Sequence, residues 1–343
     1  MSTFSALQQV IQRYGFDAWV LYDFRGSNSI AWKMAELPAD AHCTRRWMII
    51  IPAQGEPVKI VHSMERLPLE HVQAQEALYS RKEEWEQTVA SHLSGFSTIA
   101  MEYSPNGELP VISKVDAGTI EWLRSLGLTI VSSADLAQEF TAVWTQDQLA
   151  ENLRTAKKLR EAMRYGFEFI RHNLQQERAF TEFDVQTAIL AQFDTLGLVT
   201  DTPPIVAVNG NAANPHYAPT AEQNSPIVYG DSILIDMWAK TSDPASTFAD
   251  ITWMAYAGET VPDRISSLFT VIRDARNAVV DEFRRRLTGN EEVRGCDLDD
   301  VARAVVDKAG YGQFFFHRTG HNITTEIHGP GANIDNYETR DTR

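Results

Sequence analysis

The pattern of helix and strand signals changes near residue 143, and this change constrains the fold more than any other feature of the sequence. Before it, strand-like runs such as DAWVLYDF, RRWMIIIP and STIAMEY alternate with helical runs such as SALQQVIQRYG and GTIEWLRSLG, as in an α/β domain. After it, helices and strands come in groups, which favours an α+β sheet with helices on one side. We therefore predict two domains, residues 1–142 and 143–343.

The second half opens with a predicted capping box, formed by Thr145 and by Gln148 three residues later. A long helix follows, and its apolar stripe, with a residue every three or four positions, predicts core packing. The stripe consists of Leu149, Leu153, Ala156, Leu159, Met163, Phe167, Ile170 and Leu174. Three further helices are predicted, one of them capped by Thr181 and ended by Gly197. The strand-like runs PPIVAVNG, DSILIDMWAK and ADITWMAYAG lie between the helices.

Charge and composition exclude several classes of partner. The chain has 31 Lys and Arg against 46 Asp and Glu, a net charge of −15 that repels nucleic acids and anionic membranes. No apolar run reaches the roughly 18 residues of a membrane span, and polar residues occur too early in the N-terminus for a signal peptide. Cys43 and Cys296 lack CxxC spacing, which predicts two buried thiols in a reducing compartment. We expect a cytoplasmic protein.

Two carboxylates occur on strand-like runs, where an unpaired charge is costly. Asp236 ends the run SILID and shares a strand face with Leu234, whereas Asp250 begins DITWMAYAG after a polar connection. An ionised carboxylate on such a strand must be paired, hydrogen-bonded or bound to a cation. If the two strands pair, the carboxylates converge. The alternative is that Asp236 ends its strand in solvent and Asp250 is a turn residue.

Three histidines, His317, His321 and His328, fall within the segment HRTGHNITTEIHG. The spacing of the first two is that of a zincin helix, but the threonines and glycines around them favour an extended segment. Period two then places His317 and His321 on one face and His328 on the other, unless a glycine bends the chain. Only one of the first pair need be a ligand. A single histidine can equally be a hydrogen-bonded core or surface residue.

A fourth candidate, His216, lies in the loop NGNAANPHYAP. Such a loop on a rigid scaffold can present a functional group, or it can be only a turn at the surface.

Aspartate and histidine donors without sulfur suit Mn²⁺, Co²⁺, Fe²⁺ or Zn²⁺. Because carboxylates can bridge two ions, a dinuclear centre about 3.5 to 4 Å across is expected, able to deprotonate a water and polarise a carbonyl. The predicted chemistry is hydrolysis of an amide.

Taken together, PPIVAVNGNAANPHYAP, GDSILIDMWAK, FADITWMAYAG and HRTGHNITTEIHG resemble the creatinase, prolidase and aminopeptidase P family of pita-bread metallopeptidases. The runs DFRGSNSIAW and RRWMIIIPAQGEP resemble the smaller N-terminal domain of that family. The resemblance implies an α+β pita-bread catalytic domain at residues 143–343, preceded by a creatinase-type α/β domain at residues 1–142. It also implies an Xaa-Pro aminopeptidase or prolidase-like enzyme, in which a metal-activated water attacks the carbonyl of the peptide bond before proline.

The resemblance assigns metal ligands position by position. Asp236, Asp250 and His321 match ligands of two divalent metal ions, Mn, Co or Zn. The family pattern HxxGHxxGxxxH is kept, except that Thr324 replaces its second glycine. This substitution alters the local backbone geometry that the pattern implies.

The same resemblance assigns the remaining histidines to the substrate. His216 and His328 match the two catalytic histidines that hydrogen-bond the substrate and the tetrahedral intermediate. His317 matches a substrate-binding histidine on the leaving-group side. The implied partner is a peptide or dipeptide, bound by a homodimer.

One departure concerns glutamates. Enzymes of this kind complete the metal site with two glutamates on later strands, one of them in a Glu-Pro-Gly context. Glu326 lies within the histidine segment and Glu338 in the loop-like NIDNYETRDTR, so neither matches. We therefore expect a truncated catalytic domain with an open sheet edge, doubtful metal occupancy and impaired turnover in this 343-residue chain.

Two alternative functions stay open. One is a catalytically inactive pita-bread binding protein that kept the fold and lost the site. The other is a family member with a non-peptide amide or amidine substrate, such as a metal-free creatine hydrolase. The presence of Asp236 and Asp250, which metal-free chemistry does not need, counts against the latter.

Overall fold

The N-terminal half is built on a mixed six-stranded sheet in a computed structural model that describes residues 3–38 and 40–343. Its strands are β1 (Ala18–Phe24), β2 (Arg46–Pro52), β3 (Val58–His62), β4 (Gln75–Tyr79), β5 (Thr98–Met101) and β6 (Thr129–Ser132). Their order is β4-β3-β2-β1-β5-β6. The pairs β1–β2 and β2–β3 are antiparallel and the other three pairs are parallel.

Helices cover both faces of this sheet. They are α1 (Thr3–Tyr14), α2 (Ser29–Met34), α3 (Lys82–Leu93), α4 (Ala117–Ser125) and α5 (Ala134–Thr141). Alternate residues of β1 enter different cores, because successive side chains of a strand point to opposite faces. Trp19 packs with α1, α2 and α5, whereas Val20 packs with α3 and α4. The predicted alternation of helices and strands is present.

The C-terminal half contains a three-stranded antiparallel sheet in the order β7-β8-β9. Its strands are β7 (Ile205–Val208), β8 (Ser232–Ala239) and β9 (Ala249–Tyr256), and its helices are α6 (Gln146–Gln175), α7 (Glu182–Leu196), α8 (Asp263–Thr288) and α9 (Gly295–Lys308). Helices α6 and α7 bury one sheet face, where Ile233, Ile235 and Met237 contribute to the core. The even-numbered residues of β8 are only half-buried, so the other face is accessible.

Two of the predicted helix starts are confirmed by their caps. Thr145 and Gln148 form the capping box of α6, and Thr181 caps α7, which ends at Gly197 with a left-handed φ of 65°. The predicted core stripe of α6 is wrong for its first two members, since Leu149 and Leu153 are exposed. That end of the helix instead contacts residues 245–248 through polar side chains.

Helices α8 and α9 pack on each other around a small core of Ala275, Val279, Leu298, Ala302 and Val306. Both cysteines are free and buried, as predicted. Of the helices in the described part of the chain, none has the length and apolar character needed to cross a bilayer.

Candidate functional site

The pairing of β8 with β9 places the two candidate carboxylates on one sheet face. Asp236 stands opposite Thr252 in the antiparallel register. Two residues further on, Trp238 stands opposite Asp250. Because the side-chain period of a strand is two, these four side chains point away from the core face that carries Ile235. The predicted pairing of the two strands is therefore present, and both carboxylates lie on the accessible face.

Asp236 carries an unfavourable charge in this position. Burial, together with the neighbouring charge of Asp250, raises the pKa of Asp236 to about 6. The Thr252 hydroxyl, which donates a hydrogen bond to Asp236 Oδ1 at 2.6 Å, and the positive charge of His321 act in the opposite direction. A cation would stabilise the ionised form of a carboxylate in these surroundings.

His321 makes contact with the second carboxylate. Its Nε2 lies 3.5 Å from Asp250 Oδ2, and its Nδ1 lies 3.3 Å from the Asn322 carbonyl oxygen. The hydrogen bond with Asp250 raises the pKa of His321, against the opposing effect of burial. If Nδ1 donates to the Asn322 carbonyl, Nε2 faces the carboxylate as a potential ligand nitrogen.

His328 lies beside His321, with the two ring centroids 4.5 Å apart. Burial lowers the pKa of His328, and the charges of His321 and Arg318 lower it further. The ring therefore stays neutral near pH 7, with one nitrogen able to donate a hydrogen bond and the other able to accept one. An unbent segment would place His317 on the same face as His321. The segment instead bends, so that the ring next to His321 is that of His328.

The two remaining candidates stand apart from this group. His317 is exposed, with its ring against Phe315 and its Nδ1 2.7 Å from the Arg318 carbonyl oxygen. His216 is exposed in the loop after β7, where its backbone N–H donates to Asn214 Oδ1. Within residues 3–38 and 40–343, no hydrogen bond or ion pair connects either imidazole to the carboxylates.

A buried carboxylate that the sequence analysis did not identify holds the histidine segment in place. Asp299 on α9 accepts hydrogen bonds from the backbone N–H groups of Thr319 at 3.0 Å and Asn336 at 2.9 Å. Arg303 Nε donates to the same carboxylate at 2.6 Å. The available signal was an aspartate among the apolar positions of an amphipathic helix.

A second buried carboxylate holds the loop that carries His216. Glu182, the first residue of α7, accepts hydrogen bonds from the backbone N–H groups of Val208 and Ser225, both at 2.7 Å. Asn211 Nδ2 donates to it at 2.9 Å, and the Tyr217 hydroxyl donates as well. The loop is thus attached to the helix at four points.

The candidate metal ligands have donor atoms that suit a divalent cation, but they are not grouped around a common position. Asp250 and His321 are in contact, and Asp236 lies on the same sheet face with a charge that favours a cation. In the described portion of the chain, however, no three histidine, cysteine, aspartate or glutamate side chains are grouped so that they could hold a metal ion. The fit is therefore one of donor chemistry and charge.

Comparison with known proteins gives a family match over most of the C-terminal half. Metallopeptidase family M24 matches residues 151–343. An Xaa-Pro dipeptidase of Lactobacillus delbrueckii subsp. lactis is 29% identical over 184 residues, which is 54% of this chain and 45% of that protein. The chain thus spans somewhat less than half the length of this curated relative.

The solved structures that resemble this chain over nearly its whole length include a dipeptidase and an aminopeptidase. The dipeptidase PepE from Mycobacterium ulcerans aligns with a TM-score of 0.65 and 18% identity, covering 98% of this chain and 84% of that one. An X-prolyl aminopeptidase from Caenorhabditis elegans, described as a cytosolic enzyme with a di-nuclear active site, aligns with a TM-score of 0.63 and 15% identity. That alignment covers 100% of this chain and 55% of the other. At these identities the likeness shows the fold, which is of the pita-bread type.

Proposed function

The chain belongs to metallopeptidase family M24, and from that premise we propose that it is a metal-dependent hydrolase that cleaves peptide bonds before proline. The activity would be that of an Xaa-Pro aminopeptidase or a prolidase-like enzyme. One observation carries the proposal. Asp236 and Asp250 share the accessible face of the sheet, and His321 lies 3.5 Å from Asp250, all within the matched residues.

In this proposal Asp236, Asp250 and His321 are ligands of two divalent cations, Mn, Co or Zn. Bound ions of this kind supply Lewis acidity and a water that loses its proton near neutral pH. The chain itself prepares the ligands. Thr252 fixes one oxygen of Asp236, and Asp250 orients the imidazole of His321.

The other three histidines are proposed to bind the peptide. His328 stays neutral because its pKa is lowered, so it can donate a hydrogen bond to the carbonyl oxygen where negative charge develops. His216 contributes a second hydrogen bond from the loop held by Glu182, and His317 contacts the leaving-group side. The exposure of His216 and His317 supports this assignment, since a peptide can reach both.

The remaining features of the proposal concern organisation. We propose that residues 1–142 and 143–343 form separate domains, supported by separate sheets and separate cores in the two halves. We also propose a cytoplasmic homodimer. The two free thiols support a reducing compartment, and light scattering would measure the oligomeric state.

A second candidate function is a binding protein that keeps the fold without turnover. It is favoured by the open arrangement of the ligands, because no three donors of the described residues are grouped to hold an ion. We also propose that this 343-residue chain hydrolyses peptides slowly, because the three proposed ligands, Asp236, Asp250 and His321, hold two ions poorly.

The experiment that separates the candidates is a hydrolysis assay of the 343-residue chain with Ala-Pro and Ala-Ala dipeptides. We expect slow, Mn²⁺-dependent cleavage of Ala-Pro that a chelator abolishes and that Asp236→Asn removes. Cleavage that persists in the chelator would contradict the metal proposal. Binding of Ala-Pro without any cleavage in Mn²⁺, Co²⁺ or Zn²⁺ would favour the binding protein.

A further inference from the structure

A tryptophan that the proposed mechanism does not use lies on the face of the candidate site. Trp238 is two residues from Asp236 on β8 and directly opposite Asp250 on β9. The strand period therefore points its side chain to the same face as both carboxylates. Because Trp238 is only half-buried, part of its indole is available to a ligand that approaches them.

The indole of Trp238 is oriented by a residue that precedes β7, on the side of β8 opposite to β9. The Trp238 N–H donates a hydrogen bond to Asp201 Oδ1 at 2.8 Å. The segment that carries Asp201 is in turn attached to the end of β8 by two backbone hydrogen bonds between Val199 and Lys240, at 2.8 and 2.9 Å. This hydrogen bond orients the indole on the sheet face that carries both carboxylates.

The end of β8 also contacts the segment that carries the histidines. Lys240, at the end of β8, donates a hydrogen bond from Nζ to the Thr325 carbonyl oxygen at 2.8 Å. Trp238 thus lies two residues after Asp236 and two residues before Lys240, whose side chain contacts the segment that carries His328.

We propose that Trp238 determines specificity by receiving the pyrrolidine ring of the substrate on its indole surface. This inference rests on the proposed function and names the residue that would select proline. Proline segments bind preferentially to aromatic surfaces, because the ring is preformed and loses little entropy on binding. The carboxylate of Asp201, which is not a proposed metal ligand, also disfavours an acidic side chain beside the indole. A single aromatic contact corresponds to about a three- to tenfold preference.

The test measures binding, so that it does not depend on turnover. Reduced-amide analogues of Ala-Pro and Ala-Ala are titrated by calorimetry into the 343-residue chain in the presence of Mn²⁺. We expect the wild-type protein to prefer the proline analogue. Trp238→Ala should reduce this preference about three- to tenfold, mainly by weakening binding of the proline analogue, whereas Trp238→Phe should keep most of it.

Two further variants guard against a general loss of structure. Asp201→Ala keeps the indole but removes its hydrogen-bond acceptor, and it should lower the preference for proline in the same direction. Trp253→Ala is the matched control, because Trp253 pairs with Ile235 and points to the other face of the sheet. It should leave the ratio of the two affinities unchanged.

The outcomes separate the inference from the function on which it rests. If the wild-type protein prefers proline and both Trp238→Ala and Asp201→Ala keep that preference, the inference is overturned and the proposed function stands. An equal loss of affinity for both analogues would show a structural role, which also overturns it. If the wild-type protein binds neither analogue, the proposed function fails and the inference fails with it.

Discussion

At the scale of single residues, Asp236 carries a charge that its surroundings do little to neutralise. The Thr252 hydroxyl, which donates a hydrogen bond to Asp236, is neutral, and the negative charge of Asp250 repels the Asp236 carboxylate. The positive charge of His321 compensates in part, but the carboxylate that His321 contacts is that of Asp250. A carboxylate kept in such surroundings lowers stability, a cost often found where a ligand supplies the missing charge.

The first prediction concerns the stability of the metal-free protein with Asp236→Asn. The folded pKa of about 6 lies above the ordinary value of 3.8, so the folded state binds this proton more tightly than the unfolded state does. Ionisation of Asp236 therefore lowers stability as the pH rises from about 4 to about 6. Asparagine removes that cost and can still accept the hydrogen bond from Thr252.

We expect the variant to be more stable than the wild-type protein by about 1 to 2 kcal/mol at pH 7.5, with almost no difference at pH 3.5. The full difference in the pKa of Asp236 between the folded and unfolded states corresponds to a larger free energy. The expected value is smaller because solvent partly screens this half-buried carboxylate. The measurement is urea unfolding at both pH values in the presence of a chelator. A variant that is equally or less stable at pH 7.5 would refute this account of Asp236.

The second prediction concerns the imidazole of His321 in the variant Asp250→Asn. The hydrogen bond with Asp250 is the main cause of the raised pKa of His321, so its removal should bring that pKa down towards or below the ordinary value. The measurement is an NMR titration of the histidine ring protons in metal-free protein. His62, on β3 in the other half of the chain, serves as the internal control. An unchanged midpoint for His321 would contradict the contact.

At the scale of elements, two helices hold the segments that carry the candidate histidines. Glu182 at the start of α7 holds the loop with His216, and Asp299 in α9 holds the segment with His321. Both carboxylates are fully buried, and each accepts two backbone hydrogen bonds in addition to hydrogen bonds from side chains. The position of each histidine thus depends on an acidic residue far from it in sequence.

The third prediction tests the role of α9 through Asp299→Ala. The change removes the acceptor for Thr319 and Asn336 and leaves the mostly buried Arg303 without its carboxylate partner. We expect a loss of about 3 to 5 kcal/mol in the free energy of unfolding and faster amide exchange across residues 317–336. Asp300→Ala is the control.

Asp300 is exposed and accepts one hydrogen bond, from the side chain of Asn336. Its replacement should change stability by no more than about 1 kcal/mol. Equal effects of the two substitutions would show that α9 does not specifically hold the histidine segment. Unchanged exchange across residues 317–336 in Asp299→Ala would show the same.

Elements with local signals were predictable from the sequence, as the caps of α6 and α7 show. The strand β4 was not predicted, because its run QEALY is half polar and the strand is defined by pairing with β3. The helix α3 was missed for a similar reason, since its buried residues are only Trp85, Val89 and Leu93. Both elements depend on tertiary contacts that a local pattern does not contain.

The candidate site also has one part that local sequence patterns predict and one part that depends on tertiary contacts. The shared face of Asp236 and Asp250 follows from the strand period and from the pairing of consecutive strands, so it was predictable. The meeting of His321 with His328 was not, because the bend between them depends on distant contacts. One of these is the hydrogen bond from Gly331 to Asn322 Oδ1, and another is the attachment of Thr319 to Asp299.

At the scale of the whole molecule, the site brings together the sheet of the C-terminal half and the histidine segment. Trp144, just before α6, donates a hydrogen bond from Nε1 to the Ile323 carbonyl oxygen at 2.8 Å, and Phe248 donates from its backbone N–H to the Thr324 carbonyl oxygen at 2.9 Å. The segment is therefore attached both ahead of α6 and beside β9. With a net charge of −15, the molecule also attracts cations over long distances.

The central claim is that two aspartates and one histidine bind a divalent cation, and the direct test is a calorimetric titration of the chelator-treated protein with Mn²⁺, Co²⁺ and Zn²⁺. We predict saturable binding that Asp236→Asn and Asp250→Asn each weaken at least about tenfold. Asp243→Asn is the control, because Asp243 lies exposed in the connection between β8 and β9 and should leave the affinity unchanged. Affinities that stay the same in Asp236→Asn and Asp250→Asn, or a wild-type protein that binds none of the three ions, would contradict the claim.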